Sequence, residues 1–143
     1  MGKHINIVKL SVGTESLDDL MTWQQRRRAQ LKDGQYYHVT RMWPKREDEL
    51  LSGGSIYWVI KGVIQCRQDI VGLREVVGQD GIRRCALCLA PEVIRVAATP
   101  RKAFQGWRYL TPADAPPDLS GDQQREDPLP PELSKALAAI GVR

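Results

Sequence analysis

The amino-acid sequence predicts an α+β fold: a mostly antiparallel, curved sheet or small β-barrel with two main helices and a C-terminal helix. Three observations carry this reading. Segments rich in β-branched and aromatic residues recur along the chain and close on Gly or Pro. Only two stretches before the tail have helical start and stop signals. Several short strands interleaved with so few helices suit antiparallel neighbours rather than a doubly wound parallel sheet.

The first strand spans about Ile5 to Val12, β-branched and closed by Gly13. "SLDDLMTWQQRRRAQLKDG" follows as an amphipathic helix. Ser16 with Asp19 forms a capping-box pattern, Asp18 and Asp19 suit the positive end of the dipole, and Lys32 with Gly34 supplies the stop. Leu17, Leu20, Met21, Gln24 and Leu31 share one face and leave Arg26 and Arg27 outward. Tyr36 to Met42 is a short strand, and Pro44 opens a second helix of about three turns that ends at Gly53–Gly54. The segment from Gly53 to Gln68 then reads as one long strand or two bent at Gly62, continuing extended to Gly78. "GQDG" marks a turn, so Val71–Val77 and Ile82–Leu89 form a hairpin, and "EVIRVAA" and "KAFQGWRYL" add two strands.

Residues 1–110 are expected to form a single α+β domain, 111–131 a Pro-rich acidic linker, and 132–143 a helix with Leu133, Leu137 and Ile140 on one side. The 143 residues, 42% hydrophobic and 27% charged, are enough for one core. No window approaches the ~20 apolar residues of a membrane helix, and the N-terminus has neither an apolar h-region nor a myristoylation signal, Asn6 standing where Ser or Thr is needed. Three cysteines without a secretory signal suit reduced thiols, so a cytosolic protein with no membrane partner is expected. Residues 1–110 carry 18 Lys and Arg against 11 Asp and Glu, a balance of +7, whereas 111–143 carry 3 against 6, or −3. A basic body favours a polyanionic partner.

Strand alternation sharpens that expectation. Ile56, Trp58, Ile60, Ile64 and Cys66 share one side as core, while Tyr57, Val59, Lys61, Val63, Gln65 and Arg67 share the other, unless a bulge at Gly62 flips the register and dissolves the row. An aromatic ring beside cations can stack a base and meet its phosphates. Arg41, Lys45 and Arg46 precede this row, and Arg83 and Arg84 lie in the neighbouring hairpin, so Arg41, Lys45, Arg46, Tyr57, Lys61, Arg67, Arg83 and Arg84 form the candidate binding set. A half-exposed sheet with solvated charges is the plainer reading of the same row.

Other motifs carry less. Cys85-x-x-Cys88 has metal-like spacing, but a zinc site would have to recruit Cys66, His4 or His38, and "RRCALCLA" reads as a strand with small buried thiols rather than a redox helix start. No metal or cofactor is expected. "SGGS" precedes a strand, the wrong order for a P-loop. Phe104, Trp107 and Tyr109 interleave with Arg101, Lys102 and Arg108, where the first two rings pin the last strand to the core.

In "HVTRMWPKREDELLSGGSIYWVIKGVIQCRQ", "DGIRRCALCL", "FQGWRYLTPADAPPDL" and "LPPELSKALAAIG" the chain resembles a family of small, chiefly alphaproteobacterial proteins known as a domain of unknown function. That resemblance implies no activity. "ELLSGGSIYWVIKGVIQCR" also resembles PUA-like and ASCH-type domains, whose cleft of a Gly, a Lys and an Arg implies RNA or modified bases as partner; here Ser55-Ile56 follow the glycines and Lys61 arrives late.

Three functions therefore stand. The leading one is a nucleic-acid-binding PUA-like domain, with RNA favoured over DNA. The second is a small enzyme acting on a phosphorylated or nucleotide-like anionic ligand, with His38, Asp69 or Glu75 as acid or base. The third is a protein-interaction module in which the acidic tail docks on the basic body or on a partner.

Overall fold

The computed structural model describes residues 4–11, 14–30, 36–102 and 104–120. Strand β1 (Asn6–Leu10) leads through α1 (Leu17–Gln30) and β2 (Tyr37–Thr40) to the single-turn α2 (Glu47–Leu50). Then come β3 (Ser55–Ile60), β4 (Val63–Val77), β5 (Arg83–Leu89), β6 (Ile94–Pro100) and β7 (Trp107–Leu110). The strands form one curved, unclosed sheet in the order β2-β5-β4-β3-β1-β7, with β6 also on β4. All pairings are antiparallel except β1 with β3, which the helical connection between them allows. An α+β architecture is therefore present. The expected C-terminal helix, 132–143, lies outside the described residues.

The long β4 organises the sheet. Its first half pairs with β3 and β6, and beyond a break in register its second half pairs with β5 from Ile70↔Leu89 to Val77↔Arg83. The turn at 78–82 is the expected one, with Gly81 at φ 77° and the Gly78 N–H donating to the Ile82 carbonyl. At the other end, β3 and β4 form a tight hairpin through Lys61 (φ 51°) and Gly62 (φ 78°). Two consecutive positive φ values are the signature of a type I′ turn, whose twist matches the flanking strands. The stretch is therefore two antiparallel strands and not one bent strand.

Helix α1 starts as its sequence directs. The Asp19 N–H donates to Ser16 Oγ at 3.1 Å, and the Glu15 N–H donates to Asp19 Oδ2 at 3.2 Å. Leu17, Leu20 and Gln24 are buried, and Arg26 and Arg27 face outward. Helix α2 is shorter than its composition suggests. The phenolic oxygen of Tyr109 accepts from the backbone N–H groups of both Lys45 and Arg46, at 2.9 and 3.2 Å, which holds that stretch in a loop. The turn then closes at Gly54, where a Cβ would lie 2.2 Å from the Ile5 carbonyl oxygen and 2.6 Å from that of Leu50. Only glycine allows so close a backbone approach.

Apolar side chains fill both sides of the central strands. Ile7, Leu20, Tyr36, Ile56, Trp58, Ile60, Cys66 and Leu87 belong to a larger core beneath α1. Val8, Tyr57, Val59, Ile64, Val96 and Leu110 make a smaller one on the opposite face. A bulge explains this partition. Trp58 pairs with Cys66 but Val59 with Ile64, so Gln65 is left over, its amide donating to the Ile60 carbonyl at 3.1 Å. Ile64 consequently joins the smaller core with Tyr57 and Val59, contrary to its expected place beside Cys66.

Candidate functional site

The side of β3 and β4 expected to be a polar, basic row is a second packed layer. Tyr57 is 6% exposed within the smaller core, and Lys61 sits on the hairpin tip, its ammonium 3.9 Å from Glu15. Arg67 is directed back into the molecule. Its Nε and Nη2 donate to the two carboxylate oxygens of Asp118 at 2.8 and 2.7 Å, while Nη1 donates to Ser55 Oγ at 2.9 Å and Asp69 Oδ1 at 2.7 Å. Bidentate contact with Asp118 and hydrogen bonding hold the guanidinium protonated, and the same contact holds the Asp118 carboxyl below its usual range.

This arginine crosses an open cleft of about 900 Å³ whose walls include His4, Gly53, Gly54, Tyr57, Asp69 and Pro116. Gly53, Gly54 and Arg67 thus share one cleft, while Lys61 stands apart from it. Two carboxylates already face Arg67, so it is a clamp rather than a free anion receptor. What it clamps is the chain beyond β7. Asp118 bridges Val96, the Ala97 N–H donates to the Pro117 carbonyl, and the Leu119 N–H donates to the Arg95 carbonyl. The first part of the expected 111–131 linker is therefore laid along β6 as far as the described residues extend.

The loop before α2 gathers a different set of cations. Trp107 Nε1 donates to the Met42 carbonyl at 3.1 Å, and the Tyr109 hydroxyl holds Lys45 and Arg46, so the loop crosses β7. The Arg46 guanidinium lies 5.5 Å from the Tyr109 ring centre, and Arg83 reaches from β5 to lie 5.4 Å over Trp43. Such stacking is worth about 0.5–1 kcal/mol at an exposed site, although Glu49 takes the Nε and Nη2 edge of Arg46. Arg46 also pairs with Glu49 and Arg83 with Glu75; among the described residues Arg41 and Lys45 have no carboxylate partner. Arg84 turns to Asp80 at 2.8 Å, within its own hairpin.

The structure thus sets Arg83 against the loop that carries Arg41, Lys45 and Arg46, and leaves Tyr57, Lys61, Arg67 and Arg84 elsewhere. Trp43 and Tyr109, which organise that loop, were not in the expected binding set. Tyr109 had been noted only in an aromatic cluster, and its hydroxyl capping a distant loop has no local sequence signal. The three acid–base candidates also separate: His38 lies under α1, Asp69 beside Arg67, and Glu75 on Arg83. Burial pushes the Cys66 and Cys85 thiols up to about 12 and about 11, as expected of inert strand-face cysteines.

Fold and surface define a sheet-rich α+β protein with an arginine-bridged cleft and an aromatic-backed basic loop. The chain belongs to the family described as "Protein of unknown function (DUF1489)", whose model matches residues 7–143. No curated protein and no solved structure matches it. Among the described residues no helix is long and apolar enough to cross a membrane.

Proposed function

We propose that the protein binds RNA through the loop of Arg41, Lys45 and Arg46 together with Arg83, in the manner of a PUA-like domain. The observation that carries this reading is the stacking of Arg83 on Trp43 and of Arg46 on Tyr109, in a loop where Arg41 and Lys45 have no carboxylate partner among the described residues. Guanidinium planes backed by rings offer bases a stacking surface and phosphates a donor array. The +7 balance of residues 1–110 supplies the long-range attraction. The glycine-rimmed cleft that also holds Arg67 supports the PUA-like comparison. RNA is favoured over DNA because splayed single-stranded bases suit stacking on exposed, ring-backed guanidinium planes.

The test is a titration of the full chain with short single-stranded RNA, duplex RNA and DNA across a range of salt. Single-stranded RNA should bind best, with affinity falling as salt rises. Replacing Arg41, Lys45 and Arg83 together by Ala should lower the logarithmic salt slope by about 2, near 0.7 per lost phosphate contact. These side chains are exposed, so the melting temperature should hold. Absence of binding at low salt, or an unchanged slope in the triple variant, overturns the proposal.

A further inference from the structure

A second cavity lies between α1 and the sheet, away from the basic loop. It is about 310 Å³, at the small end of the roughly 300–1,000 Å³ of ligand pockets, and is more enclosed than the Arg67 cleft. Lys9 is placed there by strand alternation. Ile5 and Ile7 face the larger core, and Lys9, opposite Trp58 across the β1–β3 ladder, continues the same row where a hydrophobe would be expected. Burial lowers the Lys9 pKa, and among the described residues no carboxylate meets its ammonium. His38 also lines the cavity; its Nε2 is buried with no hydrogen-bond partner among the described residues, the ring standing edge-on to Trp58 with centroids 5.2 Å apart. Trp23 and Tyr36 complete the aromatic lining, themselves perpendicular with centroids 5.7 Å apart.

A half-buried ammonium with no carboxylate and a covered imidazole nitrogen with no hydrogen-bond partner among the described residues are each unfavourable, and Lys9 and His38 line one cavity. We infer that this pocket binds the carboxylate of a small planar aromatic acid. Lys9 meets one carboxylate oxygen. His38, in the tautomer protonated at Nε2, turns that covered nitrogen toward the cavity and donates to the other. The flat body packs among Trp23, Tyr36 and Trp58, where edge and face contacts between rings add about 0.5–1.5 kcal/mol per pair. One cation and one neutral donor match a single negative charge, which favours a carboxylate over a phosphate dianion. The inference uses none of the residues of the RNA surface, so the two can fail separately.

Benzoate and indole-3-carboxylate, titrated into the full chain, provide the test, with tryptophan fluorescence and amide NMR shifts as readouts. Benzyl alcohol and indole-3-methanol serve as uncharged counterparts. The acids should saturate and bind at least about tenfold tighter than the alcohols. Lys9→Met, which keeps the stem and removes the charge, should weaken the acids about tenfold or more and leave the alcohols unchanged, at an equal or higher melting temperature. His38→Phe should weaken the acids in the same selective way, and provides an independent arm if the Lys9 variant does not fold. No saturation at millimolar acid overturns the assignment, as do equal affinity for the alcohols, full affinity in a folded Lys9→Met protein, or shifts centred outside the cavity.

Discussion

Gln68 is the hub of a buried polar network, and replacing it by Leu should be among the costlier single changes in the sheet. Gln24 on α1 and Gln68 on β4 face each other as two amides, each donating its Nε2 to the other's Oε1 at 2.7 Å. Gln68 Oε1 also accepts from Trp58 Nε1 at 2.9 Å, and its Nε2 reaches the Ala90 carbonyl at 3.1 Å. Gln24, Gln68 and Trp58 are 1%, 0% and 2% exposed, so water cannot replace a lost partner. Leu at position 68 leaves the Trp58 N–H and the Gln24 amide unsatisfied, at about 1–3 kcal/mol each. A total of about 2–6 kcal/mol is large against the roughly 5–15 kcal/mol stability of a typical domain.

Urea unfolding followed by circular dichroism, extrapolated linearly to water, measures it. Changing Gln24 to Leu as well removes one of the two stranded groups, so the double variant should cost less than the sum of the singles by about 1–3 kcal/mol. A Gln68→Leu protein within about 0.5 kcal/mol of the parent, or strict additivity in the cycle, would show that the paired amides do not hold α1 to the sheet.

Burial, reinforced by the charge on Lys9, pushes the His38 pKa down to about 4 from 6.5. The unfolded chain therefore binds the extra proton more readily between those values, so stability is complete above about pH 6.5 and falls as pH drops toward 4, by up to about 3 kcal/mol. His38→Phe should remove that component of the pH dependence, and an imidazole NMR titration centred near the ordinary value would refute the burial argument. Lys61→Asn should stabilise the protein by roughly 0.5–1 kcal/mol in the same urea assay, because Asn-Gly suits a type I′ turn better than a lysine held at positive φ. A loss of stability would instead give weight to the Lys61–Glu15 contact.

Legibility in the sequence followed the range of the interactions involved. The cap of α1, the turn at 78–82 and the positions of β5, β6 and β7 were all readable, because side chains within a few residues determine them. The candidate site was readable only in part. Arg83 reaches the loop of Arg41, Lys45 and Arg46 through Trp43, and Tyr109, far away in the chain, holds that loop in place. Alternation was the correct rule for β3, yet the turn at Lys61–Gly62 and the one-residue bulge at Gln65 moved Ile64 to the side of Tyr57 and Val59. Lys9 had a signal that went unused: an Ile5-Ile7-Lys9 row on a strand places a cation where core is due.

By itself, then, the sequence determined the class of fold, the start of its long helix and the charge contrast between residues 1–110 and the rest. Those properties follow from composition, periodicity and contacts between near neighbours. Only the tertiary structure decided that Tyr57 is core, that Arg67 is occupied by Asp118, and that Lys9 and His38 border one cavity. Each of these depends on which distant segments meet and in what register, and the free energy of those meetings belongs to the assembled sheet rather than to any window of the chain.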